Sequence, residues 1–148
     1  MKISAKGRYA LCSLIVMTQN YGNGQYINLS RIAEQLGFSR LYCEQVFALL
    51  KKNGLVRSIK GAQGGYQMML SPKQISVYDV LNITENIIFD HNEQTVAEKA
   101  PEIEQTLQEK VFQTMDYALQ QSLQTISLYD LSLDVEKHKQ NDSFMFFI

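Results

Sequence analysis

Gly37-Phe38-Ser39 joins two segments whose apolar residues recur at helical spacing, and this turn constrains the fold more than any other stretch. Ahead of it, Asn28 is placed to cap a helix of about two turns whose inward face is Leu29, Ile32, Ala33 and Leu36, and Gly37 occupies the position just past its end. Beyond it, Ser39 is a second cap and opens residues 40–53, with Cys43, Val46, Phe47 and Leu50 at core spacing. Lys51 and Lys52 sit in the last turn of that helix and Gly54 stops it. Two short helices across a glycine-containing turn read as a helix-turn-helix.

The residues after Gly54 narrow the choice of architecture. Residues 55–59 and 66–70 are short strand-like runs joined by the loop "KGAQGG", a hairpin directly after the second helix. That order predicts a winged helix-turn-helix, with Lys60 at the tip of the wing. The loop lacks the spacing of a phosphate-binding P-loop or a dinucleotide fingerprint and leads into a strand instead of a helix. As a wing its glycines permit close approach to a sugar-phosphate backbone, and Lys60 suits the negative potential of a minor groove.

The first segment imitates a secretory signal, with Lys2, Lys6 and Arg8 ahead of a short apolar run, but no small-residue cleavage site succeeds it. Leu11, Leu14, Ile15 and Thr18 instead place a helix over residues 4–21, ended at Gly22-Asn23-Gly24. Residues 25–27 read as a short extended piece. Past Ser71-Pro72-Lys73, residues 77–85 predict a helix that packs beneath the wing through Val77, Val80, Leu81 and Thr84. Residues 86–99 read as a loop.

Pro101 then suits the first position of a long helix to about residue 123, with Glu102 and Glu104 in its positive first turn. Its apolar stripe is Ile103, Leu107, Val111, Met115, Ala118 and Ser122, widened by Phe112 and Leu119, and so long a helix is expected to pair with a second copy of itself. A shorter helical piece over residues 126–133, a polar run over 136–143 and an apolar end close the chain. The expected fold class is therefore mainly α with a small β-hairpin wing. Residues 1–85 form the winged helix-turn-helix domain, and residues 86–148 hold a loop, a dimerisation helix and a C-terminal tail.

The net charge of −1 hides an asymmetry. Residues 1–73 carry ten basic side chains against Glu34 and Glu44, while the remainder carries four lysines against thirteen acids. Only the first half attracts a polyanion. On the face of the second helix not used for the core lie Arg40, Leu41, Glu44, Gln45 and Lys51. Such side chains reach base edges from a recognition helix, Arg to guanine, Gln to adenine and Glu to the amino group of cytosine. The residues expected to touch double-stranded DNA are Lys6, Arg8, Ser39, Arg40, Leu41, Glu44, Gln45, Lys51, Lys60, Gly64, Gly65 and Tyr66.

The stretches "MKISAKGRYAL", "YCEQV", "LLKKNGLVRSIKGAQGGY" and "ISVYDVL" resemble the IscR-type (Rrf-two) family of bacterial transcription regulators over residues 1–85. The resemblance implies DNA contact for Glu44 and Gln45 on a recognition helix and for Lys60, Gly64, Gly65 and Tyr66 in the wing. Two departures stand out: Cys43 occupies the family's leucine and Lys60 its usual arginine, a point charge in place of a planar fork.

Well-known members of that family hold an iron-sulfur cluster through three cysteines after the winged domain. This sequence has no cysteine after Cys43, so no cluster and no other cofactor is expected. The resemblance extends to a cluster-free branch that represses cysteine-metabolism genes, which implies cysteine synthase as a partner. It also suggests a use for the tail, since Phe144, Met145, Phe146, Phe147 and Ile148 on a polar tether suit capture of a chain terminus by a partner's pocket. Folding of the tail back onto its own dimer is the competing expectation.

Asp90, His91 and Glu93 make a conceivable metal site but read as solvated surface. Cys12 and Cys43 fall on apolar sides of helices and read as packing residues, and two thiols without a spacing motif suggest a reducing, cytoplasmic compartment. No apolar stretch approaches the roughly 20 residues needed to cross a bilayer. No arrangement of nucleophile and base points to an enzyme. The expected function is a dimeric DNA-binding repressor. The alternatives are a redox-, nitric oxide- or iron-responsive regulator, or a protein-interaction module that acts through its tail without DNA.

Overall fold

The structure is a computed structural model and describes residues 2–22, 24, 26–85 and 94–146. The expected Asp90, His91 and Glu93 site and the tail residues Phe147 and Ile148 lie outside the described residues, as does the side chain of Phe146.

Helix α1 (Ala5–Gln19) begins at Ser4, whose hydroxyl accepts from the Gly7 N–H. Asn28 and Ser39 cap α2 (Leu29–Leu36) and α3 (Arg40–Lys52), accepting from the N–H groups of Ser30 and Tyr42. The turn between them is closed by the Phe38 N–H on the Ala33 carbonyl at 2.8 Å. Strands β1 (Val56–Ile59) and β2 (Gly65–Met68) pair antiparallel, with Arg57 opposite Gln67 and Ile59 opposite Gly65. Ile27 adds a third, single-residue rung through Tyr66. A 3-10 turn (Pro72–Gln74) leads to α4 (Val77–Thr84), where Ser76 and Asp79 cap each other reciprocally.

The core is built where the apolar spacing placed it. Leu14 and Met17 of α1, Ile32 of α2, Val46, Phe47 and Leu50 of α3, Val56 and Met68 of the hairpin and Val80 of α4 are all buried together. Cys43 joins them, and burial pushes its thiol pKa up. Cys12 does not: it is exposed, because α1 turns its Ala10, Ser13, Leu14 and Met17 inward and leaves position 12 on the opposite side.

The rear half departs from expectation in two places. The predicted long helix is interrupted: α5 (Pro101–Leu107) passes through a π-helical segment (Gln108–Phe112) into α6 (Gln113–Gln124). The expected short piece and polar run are instead one helix, α7 (Leu128–Phe146). Its first turn carries Leu128 into the same core as Phe47, and Lys73 lies 4.6 Å from the Tyr129 ring centroid. Farther along, Gln19 of α1 donates to Glu136 at 2.8 Å. The polar stretch stays helical as an exposed helix with Asp134–Lys137 and Glu136–Lys139 pairs.

Candidate nucleic-acid interface

Helix α3 is seated by its apolar side, so its opposite side is offered to solvent. Arg40, Leu41, Glu44, Gln45 and Lys51 are all exposed, and Leu41, an apolar side chain, is 66% accessible. Two aromatic contacts fix the start of this helix. Tyr9 of α1 stacks on Phe38 with centroids 3.9 Å apart and meets Tyr42 edge-on at 4.7 Å, which ties the helix-turn-helix to α1.

The polar side chains of α3 are held from neighbouring elements. Arg40 donates through Nη1 to Ser30 Oγ at 2.7 Å and through Nε to Glu44 Oε1 at 3.1 Å. Lys51 Nζ donates to Ser58 Oγ at 2.7 Å, joining the end of α3 to β1. Arg57 donates to Gln67 Oε1 across the hairpin. Ser30 and Ser58 were not singled out in the sequence, because serine carries no periodic or charge signal and each acquires its place through tertiary packing.

The wing presents Lys60 in the open, just past the end of β1. Gly64 and Gly65 have a reason to be glycine that is internal to the protein. A Cβ on Gly65, where φ is +144°, would run into the Ile27 carbonyl, and one on Gly64 into the Ile59 carbonyl. Tyr66 is likewise half-buried, with its ring 4.7 Å from that of Phe47 and its backbone paired with Ile27. Ser39 spends its hydroxyl on the cap of α3. These four serve first to build the interface.

At the other edge, Lys6 and Arg8 stand exposed on the first turn of α1. All ten basic side chains of the front half are exposed. Together the exposed side of α3, the tip of the hairpin and the start of α1 offer positive side chains and hydrogen-bonding groups suited to phosphates and base edges.

Residues 3–134 match the family described as "Rrf2: Iron-dependent Transcriptional regulator". The chain belongs to the Rrf2 family. It is 40% identical over 88 residues to the transcriptional regulator CymR of Bacillus subtilis, covering 60% of this chain and 63% of that protein. To IscR of Escherichia coli O1:K1 / APEC it is 35% identical over 88 residues, covering 60% of this chain and 54% of that protein. The chain thus spans about half to just under two thirds of the length of these curated relatives.

Among solved structures, "T. potens IscR" superposes with a TM-score of 0.71 at 32% identity, covering 93% of this chain and 90% of that one. CymR of B. subtilis, titled the global cysteine regulator, superposes with a TM-score of 0.71 at 32% identity, covering 89% and 96%. The mostly helical architecture with a two-stranded hairpin is the winged-helix fold of these regulators. The relatives are named transcriptional regulators.

The family description names iron, yet the donors of this chain do not fit a thiolate-held cluster. Cys43 is buried in the core and Cys12 lies exposed on another helix, with no cysteine later in the chain. Among the described residues no three His, Cys, Asp or Glu side chains converge.

Proposed function

We propose that this Rrf2 regulator is a dimeric, cytoplasmic DNA-binding repressor acting on genes of cysteine and sulfur metabolism. The observation that carries the DNA reading is the exposed face of α3, with Arg40, Leu41, Glu44, Gln45 and Lys51, whose last member is tied to Ser58 of the strand that leads to the exposed Lys60. The likeness to CymR supports the choice of target genes. Recognition helices enter successive major grooves of a pseudo-palindromic operator and wings reach the flanking minor grooves.

Dimerisation is assigned to α5 and α6. Ile103, Leu107, Val111 and Met115 form a row of exposed apolar side chains, with Ala118 exposed beyond them, and such a row calls for a cover. Phe144 and Met145 are 69% and 73% exposed at the end of α7, which supports presentation of the C-terminal residues to a partner such as cysteine synthase. A helix, instead of a flexible tether, delivers them.

The deciding experiment titrates the protein onto duplexes drawn from the upstream regions of cysteine-metabolism genes, at several salt concentrations, by fluorescence anisotropy. Tighter binding to some of these than to random duplex, with a steep salt dependence, is the expected result. Equal, weak binding to all of them overturns the target assignment. For the tail, a variant lacking Phe147 and Ile148 is expected to lose cysteine synthase binding at an unchanged melting temperature. Retained binding with a lowered melting temperature assigns the tail to its own dimer.

A further inference from the structure

Arg40 is the first residue of α3 and Glu44 lies one turn later on the same exposed side. The guanidinium is engaged at two different nitrogens, Nη1 on Ser30 Oγ at 2.7 Å and Nε on Glu44 Oε1 at 3.1 Å. One planar group therefore spans from α2 to the carboxylate of α3.

That carboxylate has an electrostatic difficulty. A negative side chain on a helix that faces a polyanion is repelled, and a free glutamate samples several rotamers, few of which aim at a base edge. An adjacent guanidinium offsets the charge and restrains the rotamer. In water such a pair is weak, because both side chains are largely exposed, at 67% and 48%. Once a duplex covers the face and excludes solvent, the same geometry strengthens. Lysine donates from a single rotatable nitrogen and lacks the planar fork that sets two nitrogens on two partners in fixed directions.

We propose that Arg40 is a positioning residue for Glu44: braced by Ser30, it holds the carboxylate in the orientation from which α3 reads a base edge, and so sets operator preference. The inference rests on the DNA-binding function proposed for this chain. A glutamate acceptor reads the amino group of cytosine, so the chemistry recognised is a C·G pair in the major groove. The competing role for Arg40 is a plain phosphate contact, which would add affinity without preference.

The experiment selects duplexes from a randomised pool with the wild-type protein. Binding of wild type, Arg40→Ala, Arg40→Lys, Glu44→Gln and the Arg40→Ala/Glu44→Gln double variant is then measured on the selected duplex and on each of its single-base-pair substitutions. The position read by Glu44 is the one at which Glu44→Gln alone alters preference. Arg40→Ala is expected to reduce preference at that same position by about three- to fivefold. Arg40→Lys should not restore it, and the effect should vanish in the Glu44→Gln background. Ser30→Ala should act in the same direction more weakly.

Uniform weakening of every duplex by Arg40→Ala, with the slope of log affinity against log salt reduced by about one unit, overturns the proposal and assigns a phosphate contact. A wild-type protein that enriches no sequence removes the DNA reading itself, and this inference falls with it. Thermal melts of each variant identify any loss that comes from unfolding.

Discussion

Glu85, which ends α4, lays its carboxylate across the start of α1, where it accepts from both the backbone N–H and the hydroxyl of Ser4. Ser4 is itself the cap of α1, accepting from the Gly7 N–H at 3.1 Å. The positive end of a helix and a carboxylate stabilise one another, so this contact fastens the last helix of the wing domain to its first. Lys6 and Arg8 lie directly after the joint.

Replacement of Glu85 should therefore be costly for a residue so close to the end of its helix. It is only 6% exposed, and Glu85→Ala leaves two Ser4 donors facing a buried gap. The expected loss is about 2 kcal/mol, within the range for charged hydrogen bonds. Gly7→Ala attacks the same joint from the other side, since a Cβ there would overlap the Glu85 carboxylate. Urea denaturation measures both, and midpoints equal to wild type would remove the joint from the account of stability.

How much of this was legible beforehand differs sharply between the halves. Asn28, Ser39, Gly37 and Gly54 each carry a local meaning, and the core spacing of Cys43, Val46, Phe47 and Leu50 is helical, so α2, α3 and their exposed side could be read directly. The hairpin could be read because two short β-prone runs flank a glycine cluster. The Glu85–Ser4 joint could not, because 81 residues separate its partners and neither belongs to a pattern. The return of α7 was hidden for a related reason. Its polar stretch has no apolar face to signal a helix, and only its first turns reach the core, with Leu128 buried there and Leu131 packed against it. The inward place given to Cys12 failed because apolar residues occupy more than one side of α1.

Glu104 gives a pH dependence with a definite sign. The Val96 N–H, and with it the Thr95 N–H, both at 3.0 Å, hold its carboxyl below the ordinary glutamate range even though its burial pushes the other way. A carboxylate depressed in the folded state contributes stability that is present above its unfolded pKa and is lost as pH falls through the folded value. The melting temperature of wild type should thus exceed that of Glu104→Gln at neutral pH, and the gap should close as pH drops below the carboxylate range. A gap that stays constant down to pH of about 3 would mean that the hydrogen bonds are indifferent to charge.

The two thiols should separate under a thiol reagent. Cys12 is exposed, whereas Cys43 is buried and its thiolate is disfavoured by that burial. One equivalent is expected to react rapidly and the second only on a timescale set by unfolding. Mass spectrometry of the labelled peptides assigns them. Fast reaction at Cys43 would show that α3 leaves the core far more readily than its packing implies.

Lys51 and Gln45 test the division between holding and reading. Lys51 is braced by Ser58 at the junction of helix and wing, a place suited to a phosphate. Lys51→Ala should weaken binding to every duplex and reduce the salt slope by about one unit. Gln45, exposed one residue after Glu44, should instead change which operators are preferred when replaced by Ala. Equal losses on specific and random DNA would take base reading away from Gln45.

The π-helical segment offers the sharpest test of the proposed dimer. Ile103, Leu107, Val111 and Met115 recur every four residues, and in an uninterrupted α-helix the twelve residues from first to last would swing the row by about 120° around the axis. One π turn holds an extra residue, which sets the helix back by about 100° and leaves the row within about 20° of a straight line. The residues immediately after each member, Glu104, Gln108, Phe112 and Asp116, are buried or half-buried, so the same device keeps a second row turned inward. Insertion of one alanine after the exposed Glu109 adds a residue beyond the one the π turn absorbs, so it should turn the helix past it by about 100° and break both rows at their midpoint. Sedimentation equilibrium is then expected to give a monomer where the unaltered chain gives a dimer, while circular dichroism retains the helical content of the wing domain. An insertion variant that still dimerises with unchanged affinity would show that the exposed row is not the seam.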